Sequence, residues 1–92
     1  MMEFLVPIKI ALPDQMSDDR RAALFAAEAD RAAELRAERT LARIWRVPGQ
    51  TANWSHYVVS STDALHDSLT SLPLWPWMTV DVHPLATHPA ER

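Results

Sequence analysis

The chain has 92 residues, no cysteine, one glycine and a net charge of −3. That length makes one small domain (1–92), and the missing cysteine excludes disulfides, thiolate metal sites and a cysteine nucleophile. Arginines alternate with acids instead of forming a basic face, so no nucleic-acid partner is expected, and no apolar run is long enough to cross a membrane. The first residues carry Glu3 and Lys9 and have no basic leader, which predicts a cytoplasmic protein. A core this small gains from self-association once disulfides are excluded, so a homo-oligomer is expected.

Residues 3–11 (EFLVPIKIA) predict a strand, with Phe4, Val6, Ile8 and Ile10 on one face and Leu5, Pro7 and Lys9 on the other. Pro7 cannot donate to a ladder and predicts an open edge or a bulge at that point. Ser17 is placed to cap a helix over 18–38, rich in Ala, Glu, Arg and Leu, with Asp18 and Asp19 in its first turn. Residues 41–47 and 51–59 predict two strands joined by a turn at Pro48-Gly49-Gln50, which makes a hairpin. A short helix over 63–71 follows, with Leu65 and Leu69 four residues apart. The Pro-bracketed stretch 72–77 predicts a non-helical connector, 78–83 a last strand and 84–92 a tail. Strand, helix, strand, strand, helix, strand is the ferredoxin-like βαββαβ order of an α+β fold with an antiparallel sheet. Two helices cover one sheet face, and a second subunit is the simplest cover for the other.

Glu28 is the most informative residue. It falls inside the stripe formed by Leu24, Phe25, Ala32 and Leu35, which should face the sheet. A carboxylate aimed at an apolar interior is desolvated, its pKa rises, and it becomes a better base near neutrality. A structural ion pair with Arg43 or Arg46 is an equal alternative, since buried carboxylates are usually paired. Those two arginines stand three apart on one strand and point to opposite faces, so one of them can reach the Glu28 side and clamp an anionic group. On the third strand Trp54 and His56 share one face, while Asn53, Ser55 and Tyr57 share the other. His56 titrates in the range useful for proton transfer, although a lone strand histidine is more often structural. The four histidines lack close ligand spacing, so no metal is expected.

Residues 44–89 (IWRVPGQTANWSHYVVSSTDALHDSLTSLPLWPWMTVDVHPLATHP) resemble the muconolactone delta-isomerase family. The Ala52-Asn53-x-Ser55 and Leu72-Pro73-Leu74-x-Pro76 segments carry the resemblance most specifically, with Trp45-Arg46, Leu65-His66 and His88-Pro89 beside them. The resemblance implies a ferredoxin-like dimeric α+β barrel, assembled further into a decamer. It also implies a cofactor-free 1,3-proton shift that converts muconolactone to 3-oxoadipate enol-lactone in aromatic catabolism. Under it Glu28 is the catalytic base, and Asn53 and Ser55 are polar strand donors; from the residues alone, His56 is a second candidate for proton transfer, and Arg43 and Trp54 join Asn53 and Ser55 as candidates for binding a small lactone or organic acid.

The chain departs from the family pattern where polar residues of the first strand are replaced by Leu5 and Pro7. Arg43 stands in place of a histidine, Thr51 in place of a tyrosine, and His56-Tyr57 in place of an apolar residue and a phenylalanine. Such losses on a retained scaffold are what a change of substrate would look like. Two further readings therefore stand beside the isomerase. One is a relative acting on a halogenated or biosynthetic intermediate; the other is a non-catalytic oligomeric module that binds a small ligand.

Overall fold

The computed structural model describes residues 1–91. Its elements run β1 (Met2–Ile10), α1 (Asp18–Ala37), β2 (Leu41–Arg46), β3 (Ala52–Val59), α2 (Thr62–Thr70), β4 (Met78–Val80) and β5 (His83–Leu85). The sheet is antiparallel in the order β2-β3-β1-β4, with β5 also on β1. This is the α+β ferredoxin-like arrangement, with both helices on one face.

Local chemistry starts and stops the elements. The Ser17 hydroxyl accepts from Arg20 N–H at 3.1 Å, and Ser61 accepts from Ala64 N–H at 3.0 Å, so each helix begins on a serine cap. The hairpin between β2 and β3 turns at Val47-Pro48-Gly49-Gln50, where Gln50 N–H bonds the Val47 carbonyl. Gly49 takes φ +77°, the left-handed value that the third position of a type II turn needs.

The last strand departs from expectation. It is split into β4 and β5, although Ile8↔Val80 and Leu5↔His83 belong to one unbroken register. The gap at Asp81-Val82 lies opposite Pro7. Asp81 N–H reaches the Pro7 carbonyl at 3.1 Å, but Pro7 has no N–H to return, so half of that bonded pair is missing. Proline thus sits in a central strand by interrupting its neighbour. The connector also contains a short 3₁₀ turn over Trp75–Trp77, because Pro76 at the start of a turn has no N–H to lose.

Phe4, Val6 and Ile8 of β1, Tyr57 and Val59 of β3, Leu35, Leu41, Leu65, Leu69 and Leu72 form the core between sheet and helices. Each such side chain stabilises the fold by about 1.5–3 kcal/mol relative to exposure. Leu35 is the one fully buried residue of α1. Phe25, expected in the same stripe, is 41% exposed, because the helix has passed the edge of the core at that turn.

A β-bulge between Leu41 and Arg43 sets which way β2 faces. Leu41 pairs with Tyr57 and Arg43 with His56, so two residues are advanced on β2 for one on β3. Beyond the bulge Ile44 pairs with Ser55 and Arg46 with Asn53, which turns Ile44 and Arg46 toward the helices.

Candidate active site

On the helix-covered face, β3 presents Asn53, Ser55 and Tyr57 in a row. Ser55 is buried, and its hydroxyl donates to Asn53 Oδ1 at 2.7 Å. That bond fixes the Asn53 amide and leaves its NH₂ group as the outward donor. Arg46 stands directly opposite Asn53 on β2. Both line an open groove of about 850 Å³ with Ile10, Phe25, Ile44 and Thr51.

Glu28 lies one turn beyond Phe25 on α1 and is not itself on the groove wall. It is partly buried, and its Oε1 accepts from Leu74 N–H at 3.0 Å. Burial raises the Glu28 carboxyl above its ordinary value, and the Leu74 hydrogen bond offsets part of that rise. The expected alternative, an ion pair with Arg43 or Arg46, is not formed among the described residues. The carboxylate is anchored instead to the backbone of the connector after α2. Of its two oxygens, Oε1 takes part in that bond.

The remaining candidates lie elsewhere. Arg43, Trp54 and His56 sit on the opposite face of the sheet from Asn53, Ser55 and Tyr57. Arg43 stacks on Trp45 with 4.8 Å from guanidinium carbon to ring centroid. His56 Nε2 bonds Glu3 Oε1 at 2.8 Å. Trp54 is 52% exposed and lines, with Leu5, Trp45, Arg46, Val47 and Pro48, a second, largely apolar groove of about 460 Å³, so that Arg46 borders both grooves. The structure therefore brings together Asn53 and Ser55, with Glu28 on the helix above the same sheet face. It does not bring Arg43, Trp54 or His56 to that group.

Phe25, on the groove wall, is not among the residues that the sequence singles out for a site, and of Arg43 and Arg46 it is Arg46 that lies on this face. The spacing of Arg43 and Arg46 required one of the pair to turn inward, but only the bulge decides which. Phe25 carries a core signal in the helical wheel. Among the described residues no group of three His, Asp or Glu side chains is gathered as for a metal ion, and no helix is long and apolar enough to cross a membrane.

Comparison with known proteins points one way. Residues 2–91 match the family model described as muconolactone delta-isomerase. The muconolactone delta-isomerase of Pseudomonas aeruginosa is 37% identical over 89 residues, covering 97% of this chain and 93% of the relative. That of Rhodococcus opacus is 35% identical over 88 residues, covering 96% and 95%. A crystal structure of muconolactone isomerase at 3.3 Å resolution superposes with a TM-score of 0.92 at 39% identity, covering 97% of this chain and 93% of that one. Sequence and fold agree over nearly the whole length of both partners, and the chain belongs to the muconolactone delta-isomerase family of isomerases.

Proposed function

We propose that the protein catalyses a 1,3-proton shift in an unsaturated lactone, muconolactone or a close analogue, with Glu28 as the single base. The observation that carries this reading is the inward, partly desolvated Glu28 carboxylate held by Leu74 N–H above the polar row of β3. Glu28 takes the γ-proton, electron density moves through the ring onto the carbonyl oxygen, and the same carboxyl returns the proton to the α-carbon. A carboxyl raised toward neutrality suits both steps, since it must accept and then release one proton. The Asn53 amide is a fixed donor for an oxygen that gains charge, and Ser55 holds it in place. Arg46, across from Asn53, supplies the cation for the substrate's carboxylate. No cofactor is required by this chemistry.

The face that carries Trp45, Trp54 and Leu5 is assigned to contact with a second copy, and a dimer that assembles further suits a soluble cytoplasmic enzyme. Arg43, Trp54 and His56 then serve that interface and not the reaction.

A second reading differs in substrate alone. Thr51, on the wall of the Asn53 groove, stands where the family has a tyrosine, and the room this frees favours a larger or halogenated lactone. Incubating purified protein with muconolactone and following the ultraviolet absorbance of the conjugated lactone tests both. Conjugation is lost when the double bond moves, so absorbance falls if the first reading holds. Turnover undiminished in Glu28→Ala removes the base assignment.

A further inference from the structure

Single exposed hydrophobic side chains are ordinary, but here two of them meet in one groove beside an unpaired cation. Phe25 is 41% exposed and Ile44 47% exposed, and both line the Asn53 groove. Ile44 arrives there because the β2 bulge turns it toward the helices, two residues before Arg46 on the same face. Ile10 of β1 forms the far end of the floor, with its N–H on the Thr51 carbonyl at 3.0 Å. Phe25 comes from α1, three residues before Glu28, so the ring and the carboxylate are neighbours on the helix surface. The groove wall carries one charged side chain, Arg46, and no acid. Arg46 forms no ion pair among the described residues. The wall is thus divided between groups that bind an anion and a carbonyl, Arg46 and Asn53, and hydrocarbon, Ile10, Phe25 and Ile44. The first pair meets the polar atoms of a lactone acid. The hydrocarbon wall stabilises a ligand only if that ligand brings apolar surface of its own.

We propose that Phe25 is a specificity-determining residue: with Ile44 it takes up an apolar substituent on the ring of an anionic lactone, and the preferred substrate class is alkyl-substituted lactone acids. This inference rests on the reading of Glu28 as the base and names the ligand of the same groove. The carboxylate lies on Arg46, the lactone carbonyl on Asn53 and the substituent against the Phe25 ring. The ring β-carbon is the position for that substituent, because it neither loses nor gains a proton. The C–H bond at the γ-carbon breaks toward Glu28, a C–H bond forms at the α-carbon from Glu28, and the double bond moves from α,β to β,γ. The substituent stays on its carbon throughout. Its contact with Phe25 is made in the ground state and in the transition state alike, so the preference falls mainly on KM.

The test is steady-state kinetics on muconolactone and its β-methyl and β-ethyl ring derivatives. In the wild type kcat/KM should rise about 3- to 10-fold with each added carbon, mostly through a lower KM. Phe25→Ala keeps a good helix former in α1 and should flatten that series. Phe25→Leu, which returns a large apolar side chain, should recover most of the slope. A series that is flat or falls in active wild-type protein overturns the inference and leaves the base assignment standing, and so does a Phe25→Ala variant that keeps the full slope. A drop in particle mass by light scattering in Phe25→Ala would assign the side chain to contact between copies, which overturns the inference as well. Wild-type protein that turns over none of these lactones removes the isomerase reading and this inference together.

Discussion

The two faces of the sheet are built from the same strands and meet different fates. Toward the helices, β1 and β3 present Phe4, Val6, Ile8, Ser55, Tyr57 and Val59, all sealed, and the Ser55 hydroxyl among them is bonded to Asn53. On the other side the same strands present Leu5, Pro7, Trp54 and His56, with Trp45 and Arg43 beside them from β2. Here large aromatics stay half exposed and the polar groups find surface partners, His56 with Glu3 and Arg43 with the Trp45 ring. A buried face can raise the pKa of a carboxylate and hold a donor in one direction, whereas an open one does neither. Chemistry is therefore expected on the first face and association on the second, and each expectation can be broken separately.

The largest effect should follow substitution of Glu28. Glu28→Gln keeps an oxygen for Leu74 N–H but cannot take a proton, so kcat should fall about 10²- to 10⁴-fold with the fold intact. Glu28→Ala should lose the same activity and also the anchor, at about 1 kcal/mol of stability. Should Gln retain activity, Glu28 is a strut and not a base. The pH dependence has a definite sign. The wild-type rate should rise with pH through a carboxyl ionisation lying above the ordinary carboxylate value, and that limb should be absent in Glu28→Gln. Stability runs the other way. A carboxyl whose folded pKa is raised favours folding below its unfolded value of about 4.5, and that contribution is lost as pH rises through the folded pKa. Melting scans across this window should show wild type losing ground to Glu28→Gln as pH climbs.

Next in size is the packing of the sealed face. Leu35 is the sole fully buried residue of α1, so Leu35→Ala should destabilise by about 2–5 kcal/mol in urea unfolding. Trp54→Glu probes the open face and should behave in the opposite way. At 52% exposure in the single chain, the change should leave the circular dichroism spectrum intact. If a second copy covers that face, light scattering should show the mass per particle dropping toward one chain, because an unpaired carboxylate is desolvated at the contact. An unchanged mass would mean that association uses some other surface.

How far the sequence could be read follows the same division. Alternation in β1, the Ser17 cap and the Pro-Gly turn announce the elements because each is a local rule obeyed by neighbouring residues. The direction of Glu28 was legible too, since a helical wheel needs only spacing. What spacing cannot hold is a register shift. The bulge between Leu41 and Arg43 turns Arg46 in and Arg43 out, and it depends on how two strands meet, not on either strand alone. Spacing alone therefore leaves Arg43 and Arg46 as equal candidates for the inward position. For Trp54 and His56 the two-residue period shows that they share a face, but which face the helices cover is decided only by packing. Tyr57 shares the Asn53 and Ser55 face by the two-residue period, but its depth in the core depends on its neighbours across the sheet.

The smallest expected effect concerns the interruption between β4 and β5. Pro7→Val would return an N–H to β1 at the point where Asp81 offers its carbonyl, completing a pair of which only the Asp81 N–H to Pro7 carbonyl bond now exists. A regained hydrogen bond is worth about 0.5–1.5 kcal/mol, but removing proline also frees the unfolded chain, at a cost of about 0.4–1 kcal/mol. The two nearly cancel, so Tm should barely move. Hydrogen exchange separates them: the new amide at position 7 and the amide of Asp81 should both be protected if proline alone divides the strand. Rapid exchange at both would show that the outer strand is divided by its own sequence, and that Pro7 merely occupies a gap already there. Because Pro7 also belongs to the open face, any change in particle mass in this variant would tie the break in the outer strand to association on that side of the sheet.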